Sequence, residues 1–217
     1  MTSPHYQSRA VASQWPIHWL CSAARRTSIA SSILLLVLFP NSALAHSVSE
    51  RFGDFYGGML HPLTAFEHLL AFIAIGLLAG QQQPKEARWI LLAFPLGLLA
   101  GCLSAFWGLD LSIVIFVNRA SFIVVGLLVA TAWHVPLSML VAIGLLLGIT
   151  HGYENGLGVT DEMTRLLYLP GVVLAGLLLV AIVAGATVSR HAGWQQIAIR
   201  VVGSWIAAIG ILMLGLV

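Results

Sequence analysis

Within eight positions at the start of an apolar run, HPLTAFEHLLAFIAIGLLAG (residues 61–80), the chain carries His61, Glu67 and His68. A second group, His151 and Glu154, stands in GITHGYENG, residues 148–156. Imidazole nitrogen and carboxylate oxygen without thiolate form a donor set suited to borderline divalent ions such as Ni²⁺, Co²⁺, Zn²⁺ and Cu²⁺. The same groups also serve proton transfer inside membranes. On a continuous helix, a seven-residue spacing sets His61 and His68 about 20° apart around the axis and about 10.5 Å along it. Ala65, Gly76 and Ala79 fall near the same stripe, so both rings are expected on a helix-facing side. An ionisable group at mid-span costs roughly 2.5–3.5 kcal/mol on insertion scales, so such groups line a pathway or pair up. Taken singly, each histidine is more readily explained as a hydrogen-bonded packing residue, and Glu67 as a structural ion-pair partner. Three histidines and two glutamates at one depth point to metal or proton handling.

The elements that must hold these groups follow from composition. Of 217 residues, 59% are hydrophobic and 8% charged, against the roughly 25% charged residues of a soluble domain. The outer surface must therefore face hydrocarbon. Six spans are expected at about 60–80, 88–108, 111–132, 136–152, 168–188 and 197–216, the fourth short enough to tilt or end in a break. The fold class is all-α, a polytopic membrane protein with six transmembrane helices in a compact bundle. Arg25 and Arg26, the apolar stretch Ile29–Phe39 and the small-residue pattern Ala43-Leu44-Ala45 describe a signal peptide over residues 1–45, leaving 46–217 as the membrane domain. Its removal would take Arg9, Arg25 and Arg26 and leave seven basic against eight acidic residues, a net charge of −1. No nucleic-acid partner is indicated. Cys21 would leave with the leader and Cys102 lies in an apolar helix, so neither a disulfide nor a thiolate cluster is expected.

Positive residues set the orientation. Lys85, Arg88, Arg190 and Arg200 lie in or beside the connections expected inside, whereas Arg51 and Arg165 outside are outnumbered by acids. Both mature ends are then periplasmic, in a bacterial inner membrane. The first span enters from outside and the fourth leaves there, so His61, Glu67, His68, His151 and Glu154 meet in the outer half. Gly144, Gly148 and Gly152 form one small-residue row, and Gly97 and Gly101 another, both suited to close helix approach.

At His61-Pro62-Leu63-Thr64-Ala65-Phe66-Glu67-His68-Leu69-Leu70-Ala71-Phe72 the chain resembles the HupE/UreJ family of nickel and cobalt permeases, whose first span carries a motif like H-P-x-x-G-x-D-H-x-x-x-M. Phe55-Tyr56-Gly57-Gly58-Met59-Leu60 and the junction Ala45-His46 are similar to the family too, and His151-Gly152-Tyr153-Glu154 looks like its second histidine motif. Three positions differ: Ala65 for Gly, Glu67 for Asp and Phe72 for Met. The resemblance implies a signal peptide, six spans, transported Ni(II) or Co(II) rather than a prosthetic group, and an association with hydrogenase or urease maturation proteins.

The expected metal ligands are His61, His68, His151 and Glu154, with Glu67 a ligand or a proton-linked carboxylate, and His46 with its freed α-amino group either an outer capture point or simply a disordered terminus. Arg119, in the third span near the depth of Glu67, could pair with that carboxylate, as a static ion pair or as a gate, or could snorkel toward the outer surface. Asp54 is an outer loop acid, and His134 and His191 are inner-loop residues placed to receive a departing ion or simply solvated. With no nucleotide-binding loop in view, the expected function is a non-enzymatic permease importing a divalent transition metal. The rivals are an intramembrane metal-dependent hydrolase, with Glu67 as general base, and a non-transporting accessory protein for metal-centre assembly.

Overall fold

The computed structural model describes residues 53–110, 113–159, 164–190 and 192–215. The expected signal peptide, His46 and His191 lie outside the described residues. Those described form seven helices and no strand: α1 (Asp54–Thr64), α2 (Phe66–Gln81), α3 (Pro84–Phe106), α4 (Val114–Thr131), α5 (Leu137–Leu157), α6 (Arg165–Val188) and α7 (Gly193–Gly215). Helices α3 to α7 are each long and apolar enough to cross a membrane, and α1 with α2 passes the same test as a bent pair. The protein is an all-helical membrane protein.

The bend is the main departure from the expected span over 60–80. Helix α1 stops at Thr64, Ala65 takes an extended conformation (φ −80°, ψ 110°), and α2 leaves at 76°. Pro62 supplies no backbone N–H to the turn before it. The Thr64 hydroxyl donates back to the carbonyls of Leu60 (3.0 Å) and His61 (3.1 Å), a bond that competes with the main-chain ladder and bends helices. Both weaknesses fall in one turn, and the chain leaves the helix there. The fourth apolar segment differs in the other sense: α5 runs without interruption to Leu157, through the whole of GITHGYENG.

Helix α2 is the hub. From Ala71 to Gly80 all but Ile73 is buried, as expected of a helix apolar all round. It touches α3, α4, α6 and α7. The two glycine rows face each other across α3 and α5, the most extensive helix pair. A Cβ on Gly148 would lie 2.7 Å from the Gly97 Cα, and one on Gly97 2.6 Å from the Leu145 carbonyl oxygen. Only hydrogen fits between these backbones. Lipid supplies no hydrophobic drive to bring helices together, so this close packing is what joins them. Leu92, Leu96, Phe116, Ile182 and Leu212 remain exposed around the outside, where hydrocarbon replaces water as solvent.

The connections at one end are tied by side chains. Gln82, at the end of α2, donates to the Leu78 carbonyl (3.2 Å) and the Trp133 carbonyl (3.3 Å), and its Oε1 accepts from the Val135 N–H (3.0 Å). His134, between those two residues, meets Glu86 at 3.2 Å. At the opposite end, Asp54 accepts from the Thr164 N–H (2.8 Å), tying the start of α1 to the start of α6.

Candidate metal centre

His68 comes from the first turn of α2, just past the break, and His151 from the last third of α5. Their Nδ1 atoms lie 3.2 Å apart, and both residues are buried. Glu154 is one turn beyond His151 on the same helix. One donor atom from each of His68, His151 and Glu154 lies within 4.8 Å of the other two, the one such cluster of His, Cys, Asp or Glu among the described residues.

Helix α5 is held firmly at this point. The Asn155 side chain donates to the His151 carbonyl (2.7 Å), the Cys102 thiol to the Gly152 carbonyl (3.1 Å) and the Tyr168 hydroxyl to the Asn155 carbonyl (3.3 Å). The turn that presents His151 and Glu154 is thereby bonded to its own side chains and to α3 and α6. Phe72 and Phe122 flank the His151 ring at centroid separations of 6.3 and 6.1 Å. Walled by these rings, His151 Nε2 is buried with no hydrogen-bond partner. A neutral imidazole has one N–H and one lone pair. Whichever tautomer forms, the contact with His68 uses Nδ1 and leaves Nε2 unmatched. Buried polar atoms in folded proteins are rarely left so, and an exception calls for a reason.

The other expected residues are arranged around this core. His61 lies in the last turn of α1, with its ring 5.9 Å from that of His68 and 6.1 Å from that of Tyr168. A Cβ on Gly158 would meet the His61 ring at 2.9 Å. The two histidines therefore do not occupy one face of a straight helix with an axial separation; the bend at Ala65 brings their rings together instead. Glu67 is half-buried in the first turn of α2 and, with Arg119, lies within electrostatic reach of Glu154. Neither belongs to the three-residue cluster. Of the alternatives open to Arg119, an ion pair with Glu67 is not formed; Glu86 instead pairs with His134. Asp54 serves the α6 terminus, and His134 is held by Glu86, both away from the cluster.

Asn118 is the residue that sequence reasoning left without a role. It is 1% exposed and donates from Nδ2 to Glu154 Oε2 at 2.5 Å. The signal is present in the sequence, since an amide in the apolar run VIFVNRASF is costly unless partnered. Two histidines, one carboxylate and nearby amide oxygen can hold a divalent ion, with His61 and Glu67 beside them.

Residues 34–213 match the family model described as HupE / UreJ protein. Protein HupE of Rhizobium leguminosarum bv. viciae is 26% identical over 184 residues, which cover 85% of this chain and 96% of that protein. No solved structure matches the chain.

Proposed function

The chain belongs to the HupE / UreJ protein family, and from that premise we propose that it is a permease importing a divalent transition-metal ion, Ni²⁺ or Co²⁺ foremost. The observation that carries this reading is the 3.2 Å approach of the His68 and His151 Nδ1 atoms beside Glu154. An ion bonded to both nitrogens at the usual distance of about 2.1 Å would subtend about 100° between them, an angle both tetrahedral and octahedral centres accept. His68, His151 and Glu154 are the ligands in this reading. His61 is the outer ligand that hands the ion on, and Glu67 is a further carboxylate drawing cations to the mouth.

The bent pair α1–α2 counts as the sixth span. Helix α1 has 11 residues and α2 has 16, roughly 16 and 24 Å of helix, each short of the roughly 30 Å hydrocarbon core. A broken span with its site at the break is an arrangement transporters use, because irregular backbone is tolerated where it lines a cavity. Lys85, Arg88 and Arg190 lie at the end clasped by Gln82, and the inside preference of basic residues supports a cytoplasmic location for that end and a periplasmic one for the histidine cluster. Ion movement inward is then favoured by the membrane potential, by about 4.6 kcal/mol for a divalent cation at 100 mV.

The test is uptake of radioactive Ni²⁺ and Co²⁺ by cells expressing the wild type, His68→Ala or His151→Ala. Uptake above background in the wild type, lost in both variants at equal membrane abundance, is the expected result. Wild-type cells that accumulate no more ion than cells lacking the protein would sink the permease. Ion binding by the purified protein without uptake would then favour an accessory role in metal-centre assembly.

A further inference from the structure

Glu154 has two carboxylate oxygens, and Asn118 occupies one of them. Helix α4 brings the amide there from outside both histidine motifs, and the bond from Nδ2 to Oε2 is 2.5 Å long. An ionised carboxylate only accepts hydrogen bonds, so the NH₂ end must face it; turned over, the amide would set oxygen against oxygen. The carboxylate is therefore held at Oε2, and an ion that chelates Glu154 through both oxygens must share Oε2 with this bond. The other end of the same amide, Oδ1, is buried without a partner. A carboxamide in an apolar helix with half its capacity unused is not explained by packing, since an apolar residue of equal size would avoid the loss.

Resting on the proposed reading of the site, we infer that Asn118 is a specificity-determining residue. It restricts Glu154 to a single oxygen toward the ion and offers its own Oδ1 as a further neutral donor. The resulting set is two imidazole nitrogens, one carboxylate oxygen and one amide oxygen. Such a set suits small borderline ions, whereas larger oxygen-seeking ions gain from a carboxylate that chelates through both oxygens. Asn118 thus discriminates against Mn²⁺ and Ca²⁺ by denying them the second oxygen of Glu154.

The experiment measures equilibrium binding of Ni²⁺ and Mn²⁺ to the purified full chain in detergent. Asn118→Leu removes both ends of the amide at similar volume, and Asn118→Gln restores an amide. In the leucine variant the preference for Ni²⁺ over Mn²⁺ falls about tenfold or more, the worth of one hydrogen bond to a charged group; Asn118→Gln recovers part of it. In a Glu154→Gln background, Asn118→Leu produces a clearly smaller fall, because only the loss of the Oδ1 donor remains and there is no ionised carboxylate left to restrict. An unchanged preference in Asn118→Leu overturns the inference, as does an equal fall in the Glu154→Gln background, which marks a merely structural role. Should Asn118→Leu fail to give a monodisperse protein, Asn118→Ala carries the same expectations. A wild type that binds neither ion refutes the metal site itself and with it the role of Asn118, an outcome visible before any variant is made.

Discussion

Gln82 and Asn118 are both buried carboxamides at helix contacts, one at each end of the bundle. Gln82 uses its amide at both ends, donating to two carbonyls and accepting from the Val135 N–H. Asn118 makes one bond, to a carboxylate, and leaves its oxygen unmatched. Its surroundings are alike in this. Of six buried side-chain atoms without a hydrogen-bond partner among the described residues, four belong to Asn118, Arg119, His151 and Asn155. The other two are on Gln81 and Glu86, and the Glu86 oxygen has His134 at 3.2 Å. A polar group kept for structure has its partners in place. Unused bonding capacity beside two histidines and a glutamate fits the metal site proposed above.

That contrast can be broken most forcefully at the histidines. Replacing both, His68→Leu with His151→Leu, is expected to abolish Ni²⁺ uptake while leaving thermal unfolding in detergent unchanged or shifted upward. Removing both partners of a buried polar contact is close to neutral, and here an orphan nitrogen goes too. A large loss of stability would show that the cluster is structural after all. Gln82→Leu should do the reverse. It leaves the Val135 N–H buried and unmatched, at about 1–3 kcal/mol, and lowers the unfolding temperature with Ni²⁺ affinity per folded molecule intact. A change in affinity would mean that the two ends are coupled.

The smallest effect belongs to Ala132, which ends α4 with φ +53°. A side chain in that left-handed region is unfavourable by about 1 kcal/mol or slightly more. Ala132→Gly is therefore expected to raise the unfolding temperature slightly and leave uptake as it was. It tests whether the clasped end, next to Trp133, is merely scaffold.

Much of this arrangement was legible in advance, for identifiable reasons. Glycine rows at 97–101 and 144–152 announce close helix contacts, because spacing of four puts small residues on one face. Nothing in the spacing says that these two rows meet each other rather than a third helix. The break at Ala65 was readable from Pro62 and Thr64, yet the apolar run continues through it and suggests one straight span. Asn118 stood in plain view beside Arg119, but whether its amide would meet Glu67, Glu154 or a backbone carbonyl depends on how α4 is rotated against α5. A linear pattern contains no information about that rotation.

From sequence alone came the solvent, the helices and the chemistry: apolar stretches of span length exclude water, and His68, His151 and Glu154 offer nitrogen and oxygen donors whatever their neighbours. Only the tertiary structure decided that two Nδ1 atoms approach to 3.2 Å, that a 76° bend brings His61 alongside, and that Asn118 claims one oxygen of Glu154. The reason is physical. Hydrophobicity and donor type are properties of single residues, whereas a site is a set of distances between helices whose rotation and tilt are settled by packing of the whole bundle.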